Sequence, residues 1–130
     1  MKKLSTLVLG LLTCGMAWAD IRIDEVLVRR KEGVMNIRVN LTNPSSKAQK
    51  GPIVITLYAR PNAEAEWEQI KVWNNIGKLG PGYRVARDFF DKNNPRLAEI
   101  ASEPAFEARA VVKAPGCPTQ EEIGVFHPDP

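Results

Sequence analysis

Between Val34 and Asn43 the chain reads VMNIRVNLTN, and its apolar residues fall on every second position. Met35, Ile37, Val39 and Leu41 alternate with Asn36, Arg38, Asn40 and Thr42. Successive strand side chains point to opposite faces, so the pattern writes one apolar and one wetted face. A strand of that kind belongs to an antiparallel sheet with one side in solvent, because parallel sheets are buried on both sides. An all-β fold is the expectation.

The start of the chain reads as an address. Met1-Lys2-Lys3 is basic, Leu4–Met16 is apolar, and Ala17-Trp18-Ala19 puts small residues at the −3 and −1 positions. These are the three parts of a secretory signal peptide. The apolar run falls short of the roughly 20 residues that a membrane-spanning helix needs. Residues 1–19 are therefore expected to be removed, leaving residues 20–130 as one domain in the periplasm or outside the cell, with no membrane insertion. Thr13 before Cys14 argues against a lipoprotein anchor there.

Removing the leader changes the charge argument. The formal charge of +3 comes from 18 basic and 15 acidic side chains; without Lys2 and Lys3, 16 basic ones face the same 15 acids. A charge near +1 gives no reason to expect nucleic acid as a partner. Cys14 leaves as well, so Cys117 is the one thiol of the mature chain and no internal disulfide can form. The fold has to rest on its core.

The mature chain continues in short pieces. Asp20–Arg30 starts with Ile21 and Ile23 among charges and then shifts phase to Val26 and Val28. A β-bulge, or a strand passing between two sheets, makes such a shift. Lys31-Glu32-Gly33 predicts a hairpin. Asn43-Pro44-Ser45-Ser46 ends the alternating strand, and residues 46–51 read as a polar link. Pro52–Arg60 is apolar on both faces up to Leu57, which predicts a central strand.

Glu66–Trp73 reads as a strand with Trp67, Gln69, Lys71 and Trp73 on one face. Asn74–Gly82 holds three glycines and a proline, and reads as a loop whose Ile76 and Leu79 plug the end of the core. Tyr83–Asp91 is the next strand. Asn94-Pro95 caps one helical turn over Arg96–Ala101. Phe106–Ala114 alternates with Phe106, Ala108, Ala110 and Val112 inward, and Glu121–Phe126 supplies a last edge strand. About seven short strands separated by turns predict an immunoglobulin-like antiparallel β-sandwich.

Several of these residues resemble the bacterial immunoglobulin-like module known as CARDB and, more loosely, fibronectin type III domains. The resemblance runs through Val39–Asn43, Leu57-Tyr58, Leu79-Gly80-Pro81-Gly82, Ala110-Val111-Val112 and Glu121-Glu122. Lys113 stands where that family usually has an Asp, and Glu121-Glu122-Ile123-Gly124 replaces its closing acidic-Asn motif. The resemblance implies a surface or periplasmic interaction module without catalysis. The start VNLTNPSS is also similar to the first strands of pilus chaperones, which are two-domain proteins.

Chemistry-bearing residues are few. His127 and Cys117 are the mature chain's only imidazole and thiol. A tail His-Pro-Asp-Pro is poorly placed to hold a catalytic base, and there is no Gly-x-Ser-x-Gly elbow. An enzyme is not expected, nor a cofactor. Cys117 and His127 do not fill a metal site, and Asp91-Lys92-Asn93-Asn94 lacks the glycine of a calcium loop.

The two tryptophans of the mature chain carry the functional expectation. Trp73 has Ile76 and Leu79 as neighbours and should fill the core, while Trp67, among Glu64, Glu66 and Glu68, should stay partly wet. Trp67, with Lys71 and Tyr58 beside it, is the expected partner contact. Cys117, in the turn Pro115–Pro118, is expected to be buried. The reading is an exported, non-catalytic module of interaction or adhesion type that binds a protein. The alternatives are a periplasmic small-ligand or carbohydrate-binding protein using the aromatic face, and an assembly or chaperone-type protein adding a partner's strand to an edge.

Overall fold

The computed structural model describes residues 21–127, so the expected leader and its cleavage site lie outside the described residues. Seven strands follow in order: β1 (Arg22–Lys31), β2 (Val34–Thr42), β3 (Gln49–Arg60), β4 (Glu68–Leu79), β5 (Arg84–Phe90), β6 (Glu107–Lys113) and β7 (Gln120–His127). One helix, α1 (Pro95–Ala101), sits between β5 and β6. The strands lie in the order β4-β3-β6-β7-β1-β2-β5, which divides into a three-stranded sheet (β1, β2, β5) and a four-stranded one (β3, β4, β6, β7). The protein is an all-β, immunoglobulin-like sandwich.

The alternation at Val34–Asn43 becomes β2, with Met35, Ile37, Val39 and Leu41 all at 0% exposure. The phase shift in β1 is a bulge: pairing with β2 slips between Ile23 and Glu25, which lets Ile21 and Ile23 face the same core as Val26 and Val28. Glu32 (φ 52°) and Gly33 (φ 80°) are both left-handed, the two-residue turn whose twist suits adjoining strands. Asn94 caps α1, its side chain accepting from the Leu97 amide at 2.8 Å, and Leu97, Ile100 and Ala101 close one end of the core.

Three expectations need correction. The stretch 74–82 is not a loop: β4 runs on to Leu79, paired with β3 as far as Gln49. Pairing slips three times along that ladder, so buried residues recur at Trp73, Ile76 and Leu79, and the period-two signal is lost. β3 likewise starts at Gln49, inside the expected polar link.

The third correction concerns Glu121–Phe126, expected as an edge. β7 pairs antiparallel with β6 over Gln120–Gly124 and parallel with β1 over Val125–His127, so it joins the two sheets. The sheet edges are β4 and β5. Where β7 crosses to β1 the backbones come close: a Cβ on Gly124 would stand 2.7 Å from a methyl of Val26.

Candidate functional site

The outer face of the four-stranded sheet carries the aromatic and charged cluster. In β3, Ile53, Ile55, Leu57 and Ala59 enter the core at 0% exposure, so Val54, Thr56, Tyr58 and Arg60 face outward and are half-buried. In β6 the same alternation sends Glu107, Arg109, Val111 and Lys113 outward. Register sets Tyr58 opposite Arg109 and Arg60 opposite Glu107. Trp67, just before β4, lies on this cluster: the Arg60 guanidinium carbon is 4.0 Å from its ring centroid. That of Arg109 is 4.7 Å from the rings of both Trp67 and Tyr58.

The two arginines differ in what else they hold. Arg60 reaches Glu107 Oε1 through Nε at 2.8 Å and Nη2 at 2.7 Å, and its Nη1 donates to the Ala65 carbonyl at 3.3 Å. It ties the 61–67 turn to the sheet. Among the described residues, Arg109 pairs with Glu121 alone, at 3.5 Å, and its buried Nε has no hydrogen-bond partner. Contacts between a guanidinium and an aromatic face contribute about 0.5–2 kcal/mol each, more when shielded from water. The rings and arginines therefore hold one another in place.

Of the expected contact residues, Trp67 and Tyr58 are brought together and Lys71 is not. Pairing slips between Leu57 and Tyr58, so Tyr58 faces Gln69 while Lys71 aligns with the inward Leu57. Lys71 is exposed at the sheet edge, off the Tyr58 row. The same slips separate the tryptophans. Trp73 is opposite Ile55, 8% exposed, and meets Phe89 edge-on at 6.3 Å; Trp67 is half-buried on the outer face. They do not share one face.

Arg60 and Arg109 were absent from the expected site. Arg60 could have been read from strand alternation, two residues after Tyr58. Arg109 could not, because its neighbourhood depends on a pairing between β3 and β6. The same sheet also exposes Val72 (37%) opposite Thr56 and Ile123 (49%) opposite Arg109.

Other candidates are spent on structure. Cys117 is half-exposed, not buried; its thiol donates to Gln49 Oε1 at 2.9 Å, and the Gln49 amide donates to the Pro115 carbonyl, pinning the turn. Asp91 accepts from the Met35 amide at 3.1 Å instead of heading a calcium loop. Among the described residues, no three His, Cys, Asp or Glu side chains gather where a metal could sit. A shallow groove of about 490 Å³ lies at the β1 bulge between Asp24, Glu25, Asn40 and Arg84. Its acids are engaged, Asp24 by Thr42 and Arg22, Glu25 by Asn40. No helix among the described residues is long and apolar enough to cross a membrane.

Comparison with known proteins leaves the reading to the geometry: no protein-family model matches the chain, and no curated protein matches it.

Proposed function

We propose that this chain is an exported, non-catalytic immunoglobulin-like module that binds a protein partner through the outer face of its four-stranded sheet. The observation that carries the reading is the Tyr58–Arg109–Trp67–Arg60 cluster, held by stacking and ion pairing on a rigid sheet. Tyr, Trp and Arg are the residues that most often anchor protein interfaces, and side chains already fixed lose little entropy on binding. Exposed Ile123 and Val72 extend the cluster with apolar area.

The same geometry weighs against the carbohydrate reading. A sugar stacks on a bare ring face, whereas Trp67 has two guanidiniums over its ring. Edge-strand addition would use β4 or β5. Both carry charges along the strand, Lys71 and Lys78 in β4 and Arg84 and Arg87 in β5, a usual protection against strand addition.

The test is capture of partners from an extract of exported proteins, using the chain and its Tyr58→Ala and Trp67→Ala variants side by side. Truncating an anchor typically costs about 2 kcal/mol or more, roughly a 30-fold loss of affinity. A partner retained equally by both variants, with folding verified by thermal melting, would count against this face. Intact mass of the exported product beginning at Asp20 tests the leader.

A further inference from the structure

We propose that Arg109 is the receptor for a carboxylate, an aspartate or glutamate side chain presented by the protein partner. The inference rests on the partner reading above and names what that partner must carry. It starts from the unequal state of two neighbouring guanidiniums on one face. Arg60 is engaged through Nε and both Nη atoms, by Glu107 and by the Ala65 carbonyl. Of the five N–H donors in the planar fork of Arg109, the one on Nε is buried, and Glu121 meets one of the four on Nη1 and Nη2 at the limit of hydrogen-bond length.

The ring contacts do not consume those donors. The Arg109 guanidinium carbon lies over the rings of Tyr58 and Trp67, a contact that draws on the charge of the group rather than on its N–H hydrogen bonds. The side chain keeps 22% of its surface in solvent, so the group is held yet reachable. A planar fork with fixed orientation is suited to two parallel bonds to one carboxylate, which a neutral amide cannot match.

The surrounding charges favour an acid from outside. Glu107 is committed to Arg60, and Glu121, 61% exposed, holds Arg109 at 3.5 Å only. Ile123 stands opposite Arg109 on β7 and offers apolar area to whatever residue flanks the incoming acid. An acidic segment of a protein fits this combination of cation, rings and aliphatic floor.

The probe is a set of short synthetic peptides, each made twice, once with Asp or Glu and once with Asn or Gln at the same position. Binding is measured with the purified full chain in the form that expression delivers. Peptides carrying the acid should bind about tenfold or more tighter than their amide twins, and added salt should narrow the gap. Arg109→Gln should abolish the preference, and Arg109→Lys should recover little of it, since an ammonium is not a stacked fork.

Glu121→Gln removes the competing internal carboxylate from an exposed position and should tighten binding about threefold. That variant decides the matter should Arg109→Gln fail to fold: unchanged or weaker binding then overturns the proposal. Equal binding of acid and amide peptides, or equal binding by wild type and a folded Arg109→Gln, overturns it too, while leaving a partner captured through Tyr58 and Trp67 standing. No peptide binding at all overturns it as well. If capture through Tyr58 and Trp67 also fails, the partner reading falls separately.

Discussion

The side-chain amide of Asn43 donates to the carbonyl of Leu79 at 3.0 Å, which bonds the end of β2 in one sheet to the end of β4 in the other. The same nitrogen donates to the Lys47 carbonyl at 2.7 Å, and Oδ1 accepts from the amide and hydroxyl of Ser45. The backbone of Asn43 adds bonds to Gly82 and Tyr83. Asn43 is fully buried, and its side-chain donors and acceptor are all occupied. Buried polar groups in that state specify one arrangement of the chain around them.

Replacing Asn43 with Ala would leave the buried Leu79 carbonyl and the Ser45 amide without these bonds, while the Lys47 carbonyl keeps the Ser45 hydroxyl at 2.9 Å. The expected cost is about 1–3 kcal/mol, the usual cost of a buried group left unsatisfied. Urea unfolding of Asn43→Ala beside Asn40→Ala, whose amide meets only the exposed Glu25, measures the difference. Equal midpoints would contradict this account.

Val39→Asp should unfold the domain or nearly so. Val39 is at 0% exposure, and an unpaired carboxylate there costs several kcal/mol, of the order of the whole stability of a small domain. The control on the opposite face should be Arg38→Ala and not a reversal of charge, because Arg38 pairs with Asp88 across β2 and β5 at 2.8 Å. An Arg38→Asp change would set two carboxylates face to face. Thermal melts should separate Val39→Asp from Arg38→Ala widely.

Gly124→Ala should destabilise the sandwich by about 1–3 kcal/mol, the usual cost of forcing extra volume into a packed site. Its methyl would meet Val26 at 2.7 Å and Val28 at 2.9 Å where β7 crosses to β1. Gly77→Ala, which meets nothing within 4 Å, should stay close to wild type. Chemical denaturation of the pair reads out the contrast.

Acid should weaken the fold through Asp88. Partial burial pushes its carboxyl up, but hydrogen bonds from Arg38 and Asn36, with the charges of Arg38 and Arg29, pull it net below its ordinary value of 3.8. Glu68 is lowered as well, chiefly by its hydrogen bond from Arg96. A carboxyl with a depressed folded pKa adds stability that is present above its unfolded value and is lost as pH falls through the folded one. Stability should therefore hold from neutrality down to about pH 5 and fall below about pH 4. Asp88→Asn should show a shallower acid limb in urea titrations at each pH.

The sequence by itself determined the all-β class, the alternation of β2 and β6, a strand at β3, the phase shift in β1 and the Asn94 cap. Each is written in residues adjacent along the chain, where side-chain direction follows from backbone period alone. Tertiary structure decided the rest. The irregular slips against β3 turned an expected glycine-rich loop into the second half of β4, and moved Lys71 away from Tyr58. The crossing of β7 from β6 to β1 became visible only once both partners were in place, with Gly124 at the point of closest approach. Arg109 reaches Tyr58 across a pairing that spans 51 positions, and no local pattern encodes a contact made by two strands so far apart in the chain.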